Sequence, residues 1–192
     1  MSPVIVGIGG STSSSSVSNL LLQRCLEHAT DLGAVTQAFD GAFLARLPIF
    51  APDDAASPDA LVLADAVRAA DAVVIATPGY HGGMSGLIKN AIDHLEVLRS
   101  DARPYLDGRA VGIVVAASGW QACGTTLVSV RSAVHALRGW PTPLGVMVNS
   151  AVQKPDDAGR FEPLVDDALG LLARQLTDFV GWRTSARTGI VP

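Results

Sequence analysis

The sequence predicts an α/β protein built on a parallel sheet with helices on both faces. Three observations carry that expectation. Five short apolar runs alternate with segments of helical periodicity along the whole chain, and strands buried on both faces read as such uninterrupted runs. The runs are rich in valine and isoleucine, above all VIVGI near the start and AVGIVVAA in the middle. A serine-rich tract and a glycine-rich tract each fall between a strand pattern and a helix pattern. In an open parallel sheet that is the edge where ligands bind.

Taken in order, residues 3–8 (PVIVGI) form the first strand. Residues 17–29 form a helix with Leu20, Leu21, Cys25 and Leu26 on one face. Residues 35–39 are a short second strand. Residues 40–54 are a loop that carries Leu47-Pro48-Ile49-Phe50 and then Pro52. Residues 58–70 are the second helix and 71–77 (DAVVIAT) the third strand. Residues 86–98 are the third helix, with Leu87, Ile88, Ala91, Ile92 and Leu95 at helical spacing. The fourth strand is 109–117, the fourth helix 124–137 and the fifth strand 143–148. Residues 161–180 form a long last helix, and 185–192 read as a frayed tail. No repeat or linker interrupts this order, so residues 1–184 are expected to be one domain.

Composition narrows the function. Of 192 residues, 48% are hydrophobic and only 17% charged, which suits a large interior or a subunit interface. A formal charge of -4 lacks the basic footprint that nucleic-acid binding needs. No apolar run approaches the roughly 20 residues that cross a bilayer. The start, MSPVIVGIGG, has no basic n-region and no cleavage site, so a cytoplasmic location is expected. Cys25 and Cys123 form no CxxC pair and are expected to be free thiols. His28, His94 and His135 fall in helices without metal-ligand spacing and are expected at the surface or an interface, with no metal site.

The serine tract, residues 10–19 (GSTSSSSVSN), joins the first strand to the first helix. Small hydroxyl residues let the backbone approach an anion, and the helix start favours negative charge. A dinucleotide fingerprint fits poorly: Gly7 and Gly9 match, but the third glycine position is Thr12. A Walker loop fails because no lysine precedes Lys89. The tract therefore suits a monophosphate held by hydroxyls and backbone amides. The glycine tract, residues 77–86 (TPGYHGGMSG), delivers further free N–H groups to the start of the third helix. Lys89 and Asp93 stand four apart on that helix and read as a structural pair.

These residues carry a resemblance. Gly10-Ser11, Ser16, Thr77-Pro78-x-Tyr80, Gly82, Gly86, Lys89 and Asp93 resemble the NADPH-dependent FMN reductase family, and Leu47-Pro48-Ile49-Phe50 resembles its Leu-Pro-x-aromatic loop. Ser85 before Gly86 resembles the sulfonate-linked branch of flavin reductases. The resemblance implies a flavodoxin-like fold, a five-stranded parallel sheet of order 2-1-3-4-5. It implies FMN as cofactor and NADPH or NADH as hydride donor. Ser11, Ser16 and Ser18 then match the FMN phosphate positions, with Ser13 and Val17 in the same stretch; many members carry arginine where this chain has Ser13. Pro78, Gly79, Tyr80, His81 and Gly82 match the loop along the flavin ring. Ser118, Gly119 and Trp120 match a second loop near the ring.

His81 is expected either to touch the ring or nicotinamide, or to serve through its backbone alone. Trp120 either covers the flavin or packs in a core or interface. Arg103, Arg109 and Arg131 are candidates for a 2′-phosphate. No catalytic side chain is expected, because the cofactor carries the hydride. The implied partners are a flavin-dependent monooxygenase and a second copy of the chain, as a homodimer or homotetramer built on helices three and four. The alternative functions are a quinone or azo reductase that keeps its FMN, and a flavodoxin-type electron carrier.

Overall fold

The sheet runs β2-β1-β3-β5-β6, all parallel. Its strands are β1 (Val4–Gly9), β2 (Val35–Phe39), β3 (Ala72–Tyr80), β5 (Ala110–Ala117) and β6 (Trp140–Asn149). In a computed structural model residues 2–13 and 16–188 are described; Ser14 and Ser15 of the serine tract and 189–192 of the expected tail lie outside them. Counting only parallel strands, the order is the expected 2-1-3-4-5. The sixth strand, β4 (Gly83–Met84), is an antiparallel addition to the end of β3.

Alternation along each strand sorts side chains to two faces. Val6, Ile8, Val73, Ile75 and Val111 pack against α3 (Pro58–Ala69), α4 (Gly86–His94) and α5 (Trp120–Ala136) through Leu63, Ile88 and Val130, all buried. Ile5, Val74, Val114 and Val146 face the other way, onto α1 (Val17–Asp31) and α6 (Pro163–Thr188) through Leu22, Cys25, Leu169 and Leu172. Cys25 and Cys123 are free, buried thiols, and burial pushes Cys25 up to about 12. Among the described residues no helix is long and apolar enough to cross a membrane.

Several elements differ from expectation; β3 runs on to Tyr80, and α5 starts at Trp120, four residues before the expected 124. The expected loop 40–54 contains a one-turn helix, α2 (Gly41–Leu44), because the Asp40 carboxylate accepts from Phe43 N at 2.8 Å. The third helix ends at His94 and continues as a 3-10 turn, Leu95–Leu98. β6 starts at Trp140 despite two prolines. It is an edge strand with a register shift opposite Val111 and Ile113, and both features tolerate proline. Residues 185–188, expected to be tail, continue α6. Arg183 Nη1 donates to Gly108 O at 2.6 Å, a tie from the far side of the sheet that periodicity cannot reveal.

Candidate functional site

β1 ends at Gly9, and Gly10 N still donates to Ala76 O at 2.9 Å, so the serine tract leaves the sheet over β3. Asn19, in the first turn of α1, holds the tract: its Nδ2 donates to Ser11 O at 3.0 Å and Ser13 O at 2.9 Å. Among the described residues its Oδ1 is buried and without a hydrogen-bond partner, which leaves an acceptor for a hydroxyl donor. Ser16 sits at the N-cap of α1 but caps nothing with its side chain; its hydroxyl meets that of buried Ser18 at 2.9 Å. Elsewhere serine caps in the usual way: Ser57 accepts from Ala60 N and Ser85 from Ile88 N. Side-chain oxygen is therefore withheld from the start of α1, where Val17 and Ser18 supply the first amides. Ser13 is exposed at the turn.

The glycine tract is a hairpin rather than an open loop. Gly79 pairs with Met84 and Tyr80 with Gly83, leaving His81 and Gly82 as the two turn residues. Their φ values of 51° and 84° give the paired left-handed residues of a tight two-residue turn. His81 is exposed at the tip. Thr77 fixes the hairpin base: its Oγ1 accepts from Ser85 N at 3.0 Å. Thr126 of α5 donates to Gly83 O at 3.3 Å. Gly79 is packed so closely that a Cβ there would lie 2.7 Å from Thr126 Oγ1 and 3.0 Å from the Ala117 Cβ. Pro78 is buried beneath, and Tyr80 is exposed.

Ser118 and Gly119 follow β5. Gly119 has φ 146°, and a Cβ there would meet nothing within 4 Å. Its neighbour Trp120 is not a loop residue: it opens α5 and is exposed, which excludes a core role within the chain. α5 also starts without a side-chain cap. Thr126 and Gly79 join this loop to the hairpin.

A cleft of about 520 Å³ lies between these segments, lined by Ser11, Thr12, Leu44, Ile49, Tyr80 and Asn90 among others. It brings the first loop and the hairpin together; Ser118, Gly119 and Trp120 stand outside its lining. One wall is the Leu47–Phe50 loop, clasped from α4. Asn90 Nδ2 donates to Pro48 O at 2.9 Å, and Phe50 N donates to Asn90 Oδ1 at 2.9 Å. His94, expected at the surface or an interface, is buried and donates from Nε2 to the same Pro48 carbonyl at 2.9 Å. Asn19, Asn90 and Thr126 were not singled out by sequence reasoning. Their one signal is a polar residue on the inward side of an amphipathic helix.

The three arginines lie elsewhere. Arg109 is fully buried and donates to the carbonyls of Arg68, Ala70, Tyr105 and Asp107 at the amino edge. Arg103 donates to Asp107 and Gly108 carbonyls, and Arg131 to those of Thr142 and Pro143. Arg109 is consumed by backbone, which removes it as a candidate for a 2′-phosphate; Arg103 and Arg131 also spend donors on backbone carbonyls. Lys89 pairs with Asp93 at 2.7 Å as expected.

An open parallel sheet of this order, with a hydroxyl-rich first loop and two helix starts without a side-chain cap at its carboxyl edge, defines a flavodoxin-like fold. Residues 3–153 match the family described as NADPH-dependent FMN reductase, and the chain belongs to that family. It is 34% identical over 113 residues to an FMN-dependent NADPH-azoreductase of Staphylococcus haemolyticus, covering 58% of this chain and 55% of that one. It is 30% identical over 116 residues to the enzyme of that name in Staphylococcus aureus, covering 60% and 57%. The chain thus spans about half the length of the curated relatives it matches. In fold it resembles FerB, a flavoenzyme NAD(P)H:(acceptor) oxidoreductase from Paracoccus denitrificans, with a TM-score of 0.76 at 18% identity over 93% of this chain and 97% of that one. It also resembles an archaeal flavodoxin, TM-score 0.63 at 9% identity over 93% and 99%.

Proposed function

We propose that this chain is an NAD(P)H-dependent FMN reductase. The single observation that carries the proposal is the withheld cap at α1: Ser16 turns its hydroxyl to Ser18 and leaves the helix start to an anion. The residues fit FMN. The amides of Val17 and Ser18 and the hydroxyls of Ser11, Ser16 and Ser18 suit its phosphate; the unpartnered Asn19 Oδ1 suits a hydroxyl of its sugar chain. Gly82 and Gly119, with open space where a Cβ would stand, suit a flat ring. Held there, FMN would supply the hydride-accepting chemistry, one hydride coming from NAD(P)H and one proton from solvent.

The protein's part is to hold and orient. The turn amides of His81 and Gly82 and those of Ser118 and Trp120, outside the hairpin pairing and the Gly119–Ala117 bond, would serve as donors toward charge that develops on reduction, and the exposed Tyr80 and His81 would border the ring. Ser13, in place of a cation, leaves the phosphate to hydroxyl and amide donors and without the bidentate guanidinium pairing that arginine would give. FMN is therefore exchanged freely and its reduced form passed on, to a partner monooxygenase or to oxygen. A homodimer through α4 and α5 in a cytoplasmic setting completes this reading. A second reading, in which FMN stays bound and a quinone or azo compound is reduced, is supported on its azo side by the relatives' name, FMN-dependent NADPH-azoreductase.

Steady-state NAD(P)H oxidation separates them. A rate that saturates with free FMN at concentrations far above enzyme supports flavin as substrate. A rate indifferent to FMN but dependent on added quinone supports the second reading, and electron transfer without nicotinamide oxidation supports a carrier.

A further inference from the structure

We infer that Ile49 sets the size of electron acceptor the cleft admits, and that Asn90 is the positioning residue that keeps it there. The inference rests on the reductase reading above. Ile49 is 84% exposed, so its side chain gains little from the core. Yet the backbone on both sides of it is fixed: Pro48 O accepts from Asn90 Nδ2 and His94 Nε2, and Phe50 N donates to Asn90 Oδ1. The Phe50 ring meets His94 edge-on, with centroids 5.5 Å apart. Three hydrogen bonds and a ring contact thus hold one exposed aliphatic side chain in place. An apolar side chain so held has little to do but form a surface.

That surface divides two spaces. Ile49 lines the cleft of about 520 Å³, and on its other side one of about 240 Å³ bounded by Pro52, Ala56 and Val97. Ile49 thus borders both the cleft beside the loop of Ser11 and a second recess, which Asp54, His94 and Glu96 also line. Shortening the side chain gives a flat acceptor access to the recess; enlarging it closes the cleft. Asn90 acts through Ile49 rather than on the acceptor, because one side-chain amide satisfies both neighbours of residue 49. Truncation leaves the Pro48 carbonyl one donor short and the Phe50 N–H without an acceptor, so the loop loosens.

The test compares 1,4-benzoquinone with 1,4-naphthoquinone at saturating NADPH and FMN. Each quinone takes up two electrons and two protons to become its hydroquinone; NADPH supplies a hydride and solvent the second proton. Ile49→Ala is expected to raise the two-ring to one-ring ratio of kcat/KM about fivefold, through KM. Ile49→Trp is expected to lower it by a similar factor. Asn90→Ala should shift the ratio in the direction of Ile49→Ala and speed amide hydrogen exchange at Phe50 at least tenfold, a readout that needs no turnover. Active Ile49 variants with an unchanged ratio overturn the inference. So does an unchanged Phe50 exchange rate in Asn90→Ala. If Asn90→Ala does not fold, the two Ile49 variants, altered at an exposed side chain, still decide. Wild-type protein that oxidises no NADPH with either quinone or FMN sinks the reductase reading instead, while the exchange arm still judges the clasp.

Discussion

The two ends of the sheet treat their polar groups in opposite ways. At the amino end, Arg109 is buried and its guanidinium is used up by four backbone carbonyls, while Arg183 closes a fifth. Burial and the nearby Arg103 and Arg183 lower its pKa to about 10, so it keeps its charge at neutral pH. At the carboxyl end, α1 and α5 begin with no side-chain cap, and Gly82 and Gly119 stand bare. One end satisfies itself and so stabilises; the other leaves donors free and so can bind.

The largest effect should come from breaking the closed end. Arg109→Ala removes the donor from four carbonyls, and the lost bonds with unsatisfied acceptors amount to roughly 3 kcal/mol or more. Urea denaturation should show that loss, while FMN affinity of the protein that remains folded stays within about twofold. A comparable loss of FMN affinity at full occupancy of the fold would erase the distinction between the ends.

Next, the open end can be broken without touching a donor. A Cβ at Gly41 would collide with the carbonyl oxygen and carbon of Ser11, both backbone, so α2 and the serine tract must part. Overpacking of this kind costs about 1–3 kcal/mol. Gly41→Ala should weaken FMN binding, read by fluorescence quenching, about tenfold. Unchanged affinity would mean that the tract does not hold the phosphate.

How far these ends were legible in the sequence differs in the same way. The apolar runs carried the parallel sheet, because burial on both faces forces continuous hydrophobic strands, while its order came only with the family resemblance; residues 35–39 were placed to the residue. The serine and glycine tracts were found because they interrupt those runs at strand ends. What escaped depends on distant partners. α2 is four residues held by one aspartate cap and by contact with Ser11. The His81-Gly82 turn lacks the Asn-Gly signal, and its second strand has only two residues. The clasp on Ile49 comes from a residue 40 positions from Phe50, and the last turns of α6 are tied at Gly108. Arg109, conspicuous as a cation, could be assigned only when its carbonyl partners were visible.

The open end can also be sharpened. Ser13→Arg restores a cation to the tract. A guanidinium paired with the phosphate adds about 1.4 kcal/mol, or roughly tenfold in affinity. The variant should bind FMN about tenfold more tightly and retain more of it through gel filtration. Its NAD(P)H oxidation should depend less on added FMN. An affinity equal to wild type would place the phosphate away from residue 13.

The smallest effect separates the two roles within α1. Its first turn is open, but its middle is cross-tied: Arg24 Nη2 donates to Asp166 Oδ2 at 2.9 Å, and His28 Nε2 lies 3.2 Å from Asp166 Oδ1. The bond from Arg24 holds the Asp166 carboxyl down at about 2, with His28 helping, against an ordinary value of 3.8. A carboxyl depressed in the folded state stabilises above its unfolded pKa, and that stability is lost as pH falls from about 4 toward 2. Because both partners are partly exposed, solvent screening leaves about 1 kcal/mol. Asp166→Asn should therefore lower stability by that amount at pH 7 and flatten the decline between pH 4 and 2. FMN affinity at pH 7 should not move, since the tie lies two turns from the helix start. A parallel loss of affinity would show that the open end of α1 depends on the packing of its middle, and the two roles would no longer be separable.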